Sequence, residues 1–251
     1  MNVRTLRKMT WLEVKLLVRE PLTLIFTFAF PLLVLLVMGQ VFGNEPDPTQ
    51  PEVFRHVGPM DYYLPGYIGL SVAAIGVIAL PVHLASYRER GVLKRFHASG
   101  ISARTVVAAQ ALVMALASAA GAVALVVVGF AVHDVHAPQS PGGVMLGFAV
   151  TLACFAAIGV LLGAVMPSAR AAQGIGLMLF FAMMFLSGTD GPRAILGDVM
   201  RNVGEVFPLT HSFIVMQDPW IGFGINVDRL AIIVVITVAA SFAAVRAFRW
   251  D

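Results

Sequence analysis

The sequence predicts an all-α membrane protein with six transmembrane helices. Three observations carry that expectation. Only 12% of the 251 residues are charged; mean hydropathy is +0.85; and uncharged runs longer than the roughly 18 residues of a span recur along the chain. A soluble core requires no such runs, so the one or two soluble domains that the length alone would suit are excluded. Residues 1–251 are expected to form a single transmembrane domain. The pI near 9.4 points to basic residues flanking the spans, not to a nucleic-acid surface. The single cysteine, Cys154, lies in an apolar run and can form no internal disulfide. Fourteen Arg against three Lys, with abundant Ala, suggests a GC-rich bacterial genome and hence a multi-pass protein of the inner (plasma) membrane.

Residues 1–21 are expected to form an interface helix. Apolar Leu6, Met9, Leu12, Leu16 and Leu17 alternate with Arg7, Lys8, Lys15 and Arg19, and Trp11 suits the headgroup level. An ordinary basic flank before a span is the alternative. The charged stretch is too long for a signal peptide. Pro21 separates it from a first span at 22–42, where Pro31 predicts a kink. Prolines at 46, 48, 51 and 59 argue against a long helix in the polar loop 43–62. A second span at 63–86 opens among Tyr62, Tyr63 and Tyr67, with Pro65 and Pro81 near its ends. The remaining spans are expected at 105–132, 142–165, 171–187 and 230–248, the last followed by Arg249, Trp250 and Asp251 as an interfacial anchor.

The charges orient this layout. With the N-terminus inside, the internal segments hold Arg4, Arg7, Lys8, Lys15, Arg19, Arg88, Arg90, Lys94, Arg95, Arg104, Arg170, Arg246 and Arg249. The external segments hold only Arg55, Arg193, Arg201 and Arg229, together with ten of the fourteen acidic residues. Basic residues stay on the cytoplasmic side, so both termini are expected inside.

Apart from Arg246 at the inner end of the last, the predicted spans contain no Asp, Glu, Lys or Arg, which counts against proton- or sodium-coupled pumping. His83, near the inner end of the second span, is expected to be interfacial or packed. His133, Asp134 and His136 share a short loop without the further ligands a metal needs. No phosphate-binding Gly-rich loop, GxSxG or HExxH occurs. No catalytic residue, metal or cofactor of this chain is therefore expected, and the protein is not expected to be an enzyme. Gly39–Gly43, Gly143–Gly147 and Gly159–Gly163 permit close helix packing.

The outer segment 188–229 is expected to carry an amphipathic helix. Ile195, Val199, Val203 and Val206 fall on one face, Asp190 can cap it, and Pro192 suits its first turn. It either lies on the surface or dips back into protein. Phe207-Pro208-Leu209-Thr210-His211 breaks it, and a short run at Ser212–Gln217 is expected to stop at Asp218-Pro219-Trp220. Ile195, Val199, Val203 and Pro208 are the candidate outer-gate residues.

The most charged window is Tyr87–Arg104, with five of the seventeen basic residues. Within it, Glu89-Arg90-Gly91-Val92-Leu93-Lys94-Arg95 resembles the signature of the membrane subunits of type-2 ABC exporters, the bacterial drug, antibiotic and lipid export kind. Where that family often has Thr-Pro next, this chain has Ser99-Gly100. Leu17-Val18-Arg19-Glu20-Pro21 and Phe207-Pro208-Leu209-Thr210-His211 are similar to two further family motifs. The resemblance implies half of a twelve-span pore. A second permease subunit, identical or related, would face it, and two copies of a cytoplasmic ABC ATPase would bind ATP and Mg beneath. Residues 87–104 would hold the ATPase-coupling helix, with Glu89, Arg90, Gly91, Val92, Leu93, Lys94 and Arg95 as its residues. The expected cargo is hydrophobic or amphipathic. An ATP-independent channel or facilitator, and a membrane scaffold or assembly protein, are the alternatives.

Overall fold

A computed structural model describes residues 3–49, 51–189 and 191–247. The cap expected at Asp190 and the anchor at Arg249, Trp250 and Asp251 lie outside them, as does the side chain of Arg104. Every regular element among these residues is helical. Six helices are long and apolar enough to cross a membrane: Pro21–Phe42 (span 1), Pro59–Glu89 (span 2), Thr105–His133 (span 3), Pro141–Val165 (span 4), Ala169–Ser187 (span 5) and Val227–Ala247 (span 6). They occupy the six predicted runs.

Span 2 is the axis of the bundle. Its apolar stretch is 94% buried, against 17 to 33% in the other five. It touches spans 1, 3, 4 and 5, as expected of a helix that is apolar all round. It is longer than the sequence indicates because both ends are held from outside. At the start, Pro59 presets the first turn, and the Asn44 side chain, from the preceding loop, accepts the N–H groups of Met60 (3.0 Å) and Asp61 (3.1 Å). Asp61, expected in a loop, is therefore helical and buried.

Three of the four prolines inside helices, Pro31, Pro81 and Pro219 (the fourth is Pro65 of span 2), bring close contacts to the carbonyl four residues back, which each strips of its N–H partner. In span 1 the Pro31 site is accommodated by a π-turn over Ile25–Ala29, and the freed Thr27 carbonyl accepts the Ser71 hydroxyl of span 2 at 2.7 Å. In span 2 a π-turn over Ile75–Ala79 precedes Pro81. Here a Cβ on Gly176 of span 5 would lie 2.2 Å from the Val77 oxygen, so only glycine lets the two backbones meet. At the third, Pro219, a Cβ on Gly147 of span 4 would lie 2.8 Å from the Val215 oxygen. The kink expected at Pro31 thus takes the form of a π-turn, which inserts a residue so that the ring clears the preceding turn.

The glycine pairs of span 4 belong to one stripe of residues four apart: Gly143, Gly147, Thr151, Phe155, Gly159 and Gly163, all buried. One half meets Val215 and Pro219; the other meets Gly76 and Leu84 of span 2. Gly39 and Gly43 do something different. Gly39 lies against the His133 ring, and Gly43, at φ 65°, ends span 1.

The outer segment departs most from expectation. The single amphipathic helix is instead a 3-10 turn at Arg193–Ile195 and a helix at Asp198–Gly204, divided by extended Leu196 and Gly197. The short run at Ser212–Gln217 is in fact a helix over Pro208–Ile221 that continues through Pro219. Pro208 starts it, as a proline at a first helical position can. The helix packs among spans 2, 4, 5 and 6 and buries eleven of its residues. At 14 residues, about 21 Å, it is too short to cross a hydrocarbon core of about 30 Å. It is a short helix buried inside the bundle, and is called the re-entrant helix below. Its last carbonyls, of Pro219 and Trp220, accept the N–H groups of Ser140 (2.9 Å) and Gln139 (3.0 Å) at the start of span 4.

Candidate functional site

The interface helix, Val3–Val18, lies along span 3. Its buried face is Met9, Thr10, Glu13 and Leu17, while Leu12, placed on the apolar face by its spacing, is exposed. Glu13 is 2% exposed. The Tyr87 hydroxyl of span 2 donates to it at 2.7 Å, and Gln110 of span 3 lies beside it. Burial raises the Glu13 carboxyl above the usual carboxylate range, although Tyr87, His83 and Gln110 oppose the shift. Seven residues on, just past the end of the interface helix, Glu20 sits 3.2 Å from His83, which is packed as expected, and accepts the Thr23 hydroxyl at 3.2 Å. Burial alone would raise Glu20, but the hydrogen bond and charge of His83, with Thr23, bring it below its ordinary value.

The basic loop is built from span 2 outward. Glu89 is the last residue of that helix, Arg90 follows, and Gly91 at φ 64° turns the chain into the helix Val92–Ala98. Leu93 is buried against Met9 of the interface helix and Val106 and Ala109 of span 3, with Tyr87 and Phe96 around them. Arg90, Lys94 and Arg95 are exposed. Arg88 donates to the carbonyls of Ala164 and Met166 at the end of span 4. The Glu89 carboxylate accepts the Ala169 N–H at 3.2 Å, at the first residue of span 5. Two adjacent side chains of opposite charge therefore clasp the turn between spans 4 and 5. Although Arg88 and Arg90 flank it in sequence, the Glu89 carboxylate meets a helix terminus.

At the opposite end of the bundle, charged side chains surround the re-entrant helix. Arg55 pairs with Asp218 at 2.5 Å and stacks over Phe223 at 4.2 Å. Glu205 bridges Arg193 (2.5 Å) and Arg229, and its carbonyl accepts from His211 Nε2 at 2.8 Å. Burial would raise the Glu205 carboxyl, but the Arg229 hydrogen bond and the two guanidinium charges hold it below the usual range. Arg55, Asp218, Arg193 and Arg229 border a cavity of about 330 Å³ that Tyr62, Gln217 and Asn226 also line. Ile195, Val199 and Val203 stand outside it, exposed, and Pro208 begins the re-entrant helix.

His136 of the short loop binds Asp61 through Nδ1 at 2.8 Å. Among the described residues, no three His, Cys, Asp or Glu side chains are grouped to hold a metal ion.

Sequence spacing missed Glu13, Asn44, Asp61 and Tyr87. Two were accessible in retrospect. Glu13 falls four residues after Met9 and four before Leu17, on the buried face. Asp61 follows Pro59 at the distance of an acid in a first helical turn. Asn44 had no local signal, since its target lies 16 residues on.

Six apolar helices, a fully packed central span and a re-entrant helix make this a multi-pass helical membrane protein with a charged platform at one end. Residues 4–219 match the ABC-2 type transporter family. The chain belongs to that family and is a permease subunit of an ABC transporter, a transport rather than a catalytic class. No curated protein matches it.

Proposed function

We propose that this chain is one half of an ATP-driven export pore in a bacterial inner membrane. It pairs with a second permease subunit, identical or related, above two copies of a separate cytoplasmic ABC ATPase that binds ATP and Mg. It carries a hydrophobic or amphipathic compound, such as a drug, antibiotic or lipid, out of the cell. The positive-inside distribution of charge supports cytoplasmic termini.

The observation that carries the proposal is the double anchorage of the helix Val92–Ala98. Leu93 seats it on the interface helix and span 3, while Arg88 and Glu89, just before it, hold the span 4–span 5 turn. A push on this helix reaches spans 2, 3, 4 and 5 together. Exposed Arg90, Lys94 and Arg95 face the partner ATPase. At the far end, Ile195, Val199 and Val203 face lipid or the pore mouth, and the break at Pro208 separates them from the re-entrant helix.

The test is capture of the tagged chain from its native membrane, followed by reconstitution of what it brings. Recovery of an ATP-hydrolysing subunit, with substrate flux that requires ATP, supports the proposal. A chain that purifies alone and conducts solute passively overturns it in favour of a channel.

A further inference from the structure

The bundle leaves a groove beside the interface helix. It lies between that helix, the start of span 1 and span 3, and measures about 630 Å³, within the roughly 300–1,000 Å³ of small-molecule sites. Val14, Phe28, Leu116 and Ala120 are typical of its apolar wall, and Arg7 and Trp11 also line it.

The groove has a direction. Leu6 and Met9 pack near Val106 and Ala109, close to the start of span 3, whereas Leu17 lies by Val113 and Met114, further along. Arg7 therefore marks the end nearer the basic platform. From Leu112 to Ala120 the groove follows span 3 for about 12 Å, close to the hydrocarbon depth of one leaflet, half of roughly 30 Å. Arg7 and its neighbour Lys8 are exposed at that end, and Trp11 is 62% exposed, as suits a ring at headgroup level.

We infer that the groove binds one acyl chain of an anionic phospholipid from the leaflet on the basic side, with the lipid phosphate at Arg7. An apolar slot of leaflet depth matches the chain, and the basic residue at its mouth matches the charge. A zwitterionic lipid such as phosphatidylcholine carries the same phosphate, but its own ammonium offsets that charge and weakens its attraction to Arg7 and Lys8, and a helix of a second copy of this chain would need no charge at the mouth.

Trp11 supplies the probe. Trp220 is buried and its indole N–H has no hydrogen-bond partner, so Trp220→Phe with Trp250→Phe leaves Trp11 as the only tryptophan. The full chain, with any subunits it retains, is placed in phosphatidylcholine nanodiscs containing a minor fraction of dibrominated phosphatidylglycerol or dibrominated phosphatidylcholine. Bromine quenches a tryptophan it touches. The anionic lipid should occupy the site about fivefold more strongly than the neutral one, the effect expected of one basic residue near a surface. Arg7→Gln should remove that preference, and Ala120→Phe, at an exposed position in the groove, should reduce quenching by both lipids. Equal quenching by the two lipids in the otherwise unchanged chain overturns the inference. So does absence of quenching by either, the result expected if a second copy covers the groove.

Discussion

The Tyr87 hydroxyl donates to the Glu13 carboxylate across 2.7 Å, joining the last turn of span 2 to the interface helix just before the basic loop. Glu13 is almost wholly buried there, and its native carboxyl titrates above the ordinary range. The folded state then holds the proton more tightly than the unfolded state does. Stability from this group is present at low pH and is lost as pH rises from the ordinary carboxylate range through the raised native value. Glu13→Gln keeps an acceptor for Tyr87 and removes the charge. It should raise thermal stability at pH 8 and change it little at pH 5, as read by melting of the purified chain. Tyr87→Phe leaves the carboxylate short of a donor and should destabilise by about 1–3 kcal/mol. Equal loss at both pH values for Glu13→Gln would show that the charge is not what matters.

Glu89 provides a separate test of coupling. Its contact is with the backbone of Ala169 in an exposed position, so folding should survive its loss. Glu89→Ala should insert normally and retain its ATPase, yet lose most substrate-stimulated ATP hydrolysis and export. Unchanged stimulation and export would remove this residue from the coupling path.

The direction of the chain across the membrane is open to labelling. In a Cys154→Ser background, cysteines placed at Thr49 and Asn202 should react with an impermeant thiol reagent in intact cells. One at Ser99 should react only after lysis. Reaction of Ser99 in intact cells would reverse the orientation.

Val199 is 78% exposed on the short helix Asp198–Gly204. An apolar side chain so placed contributes little to the fold of the single chain and is free to meet lipid or cargo. Val199→Asp should reduce export severalfold while assembly and expression hold. Normal export would make this helix a surface lid.

Gly176 should tolerate no side chain. A methyl group there would meet the Val77 oxygen at 2.2 Å, and backbone cannot step aside as a side chain can. Gly176→Ala should destabilise by about 1–3 kcal/mol through overpacking. Gly174, whose added Cβ would meet nothing within 4 Å, is the control, and equal effects at the two positions would refute the close approach.

The sequence by itself determined the class of fold, the number of spans and the segment on which the proposed mechanism turns. Those follow from local quantities: uncharged length, the distribution of Arg and Lys, and the motif from Glu89 to Arg95. Water and lipid enforce them residue by residue, so they need no knowledge of neighbours. Only the tertiary structure decided the rest. Pro219 reads as a stop, but the helix continues because Gly147, far away in sequence, admits span 4 beside the Val215 carbonyl. Glu13 reads as one surface charge among several, but span 2 and span 3 cover it and supply Tyr87 and Gln110. Glu89 reads as a partner for nearby arginines, but the start of span 5 offers its N–H instead. In each case the deciding group comes from another helix, and a backbone carbonyl, a buried acid or a helix terminus has no identity in sequence until the fold brings its partner within hydrogen-bond reach.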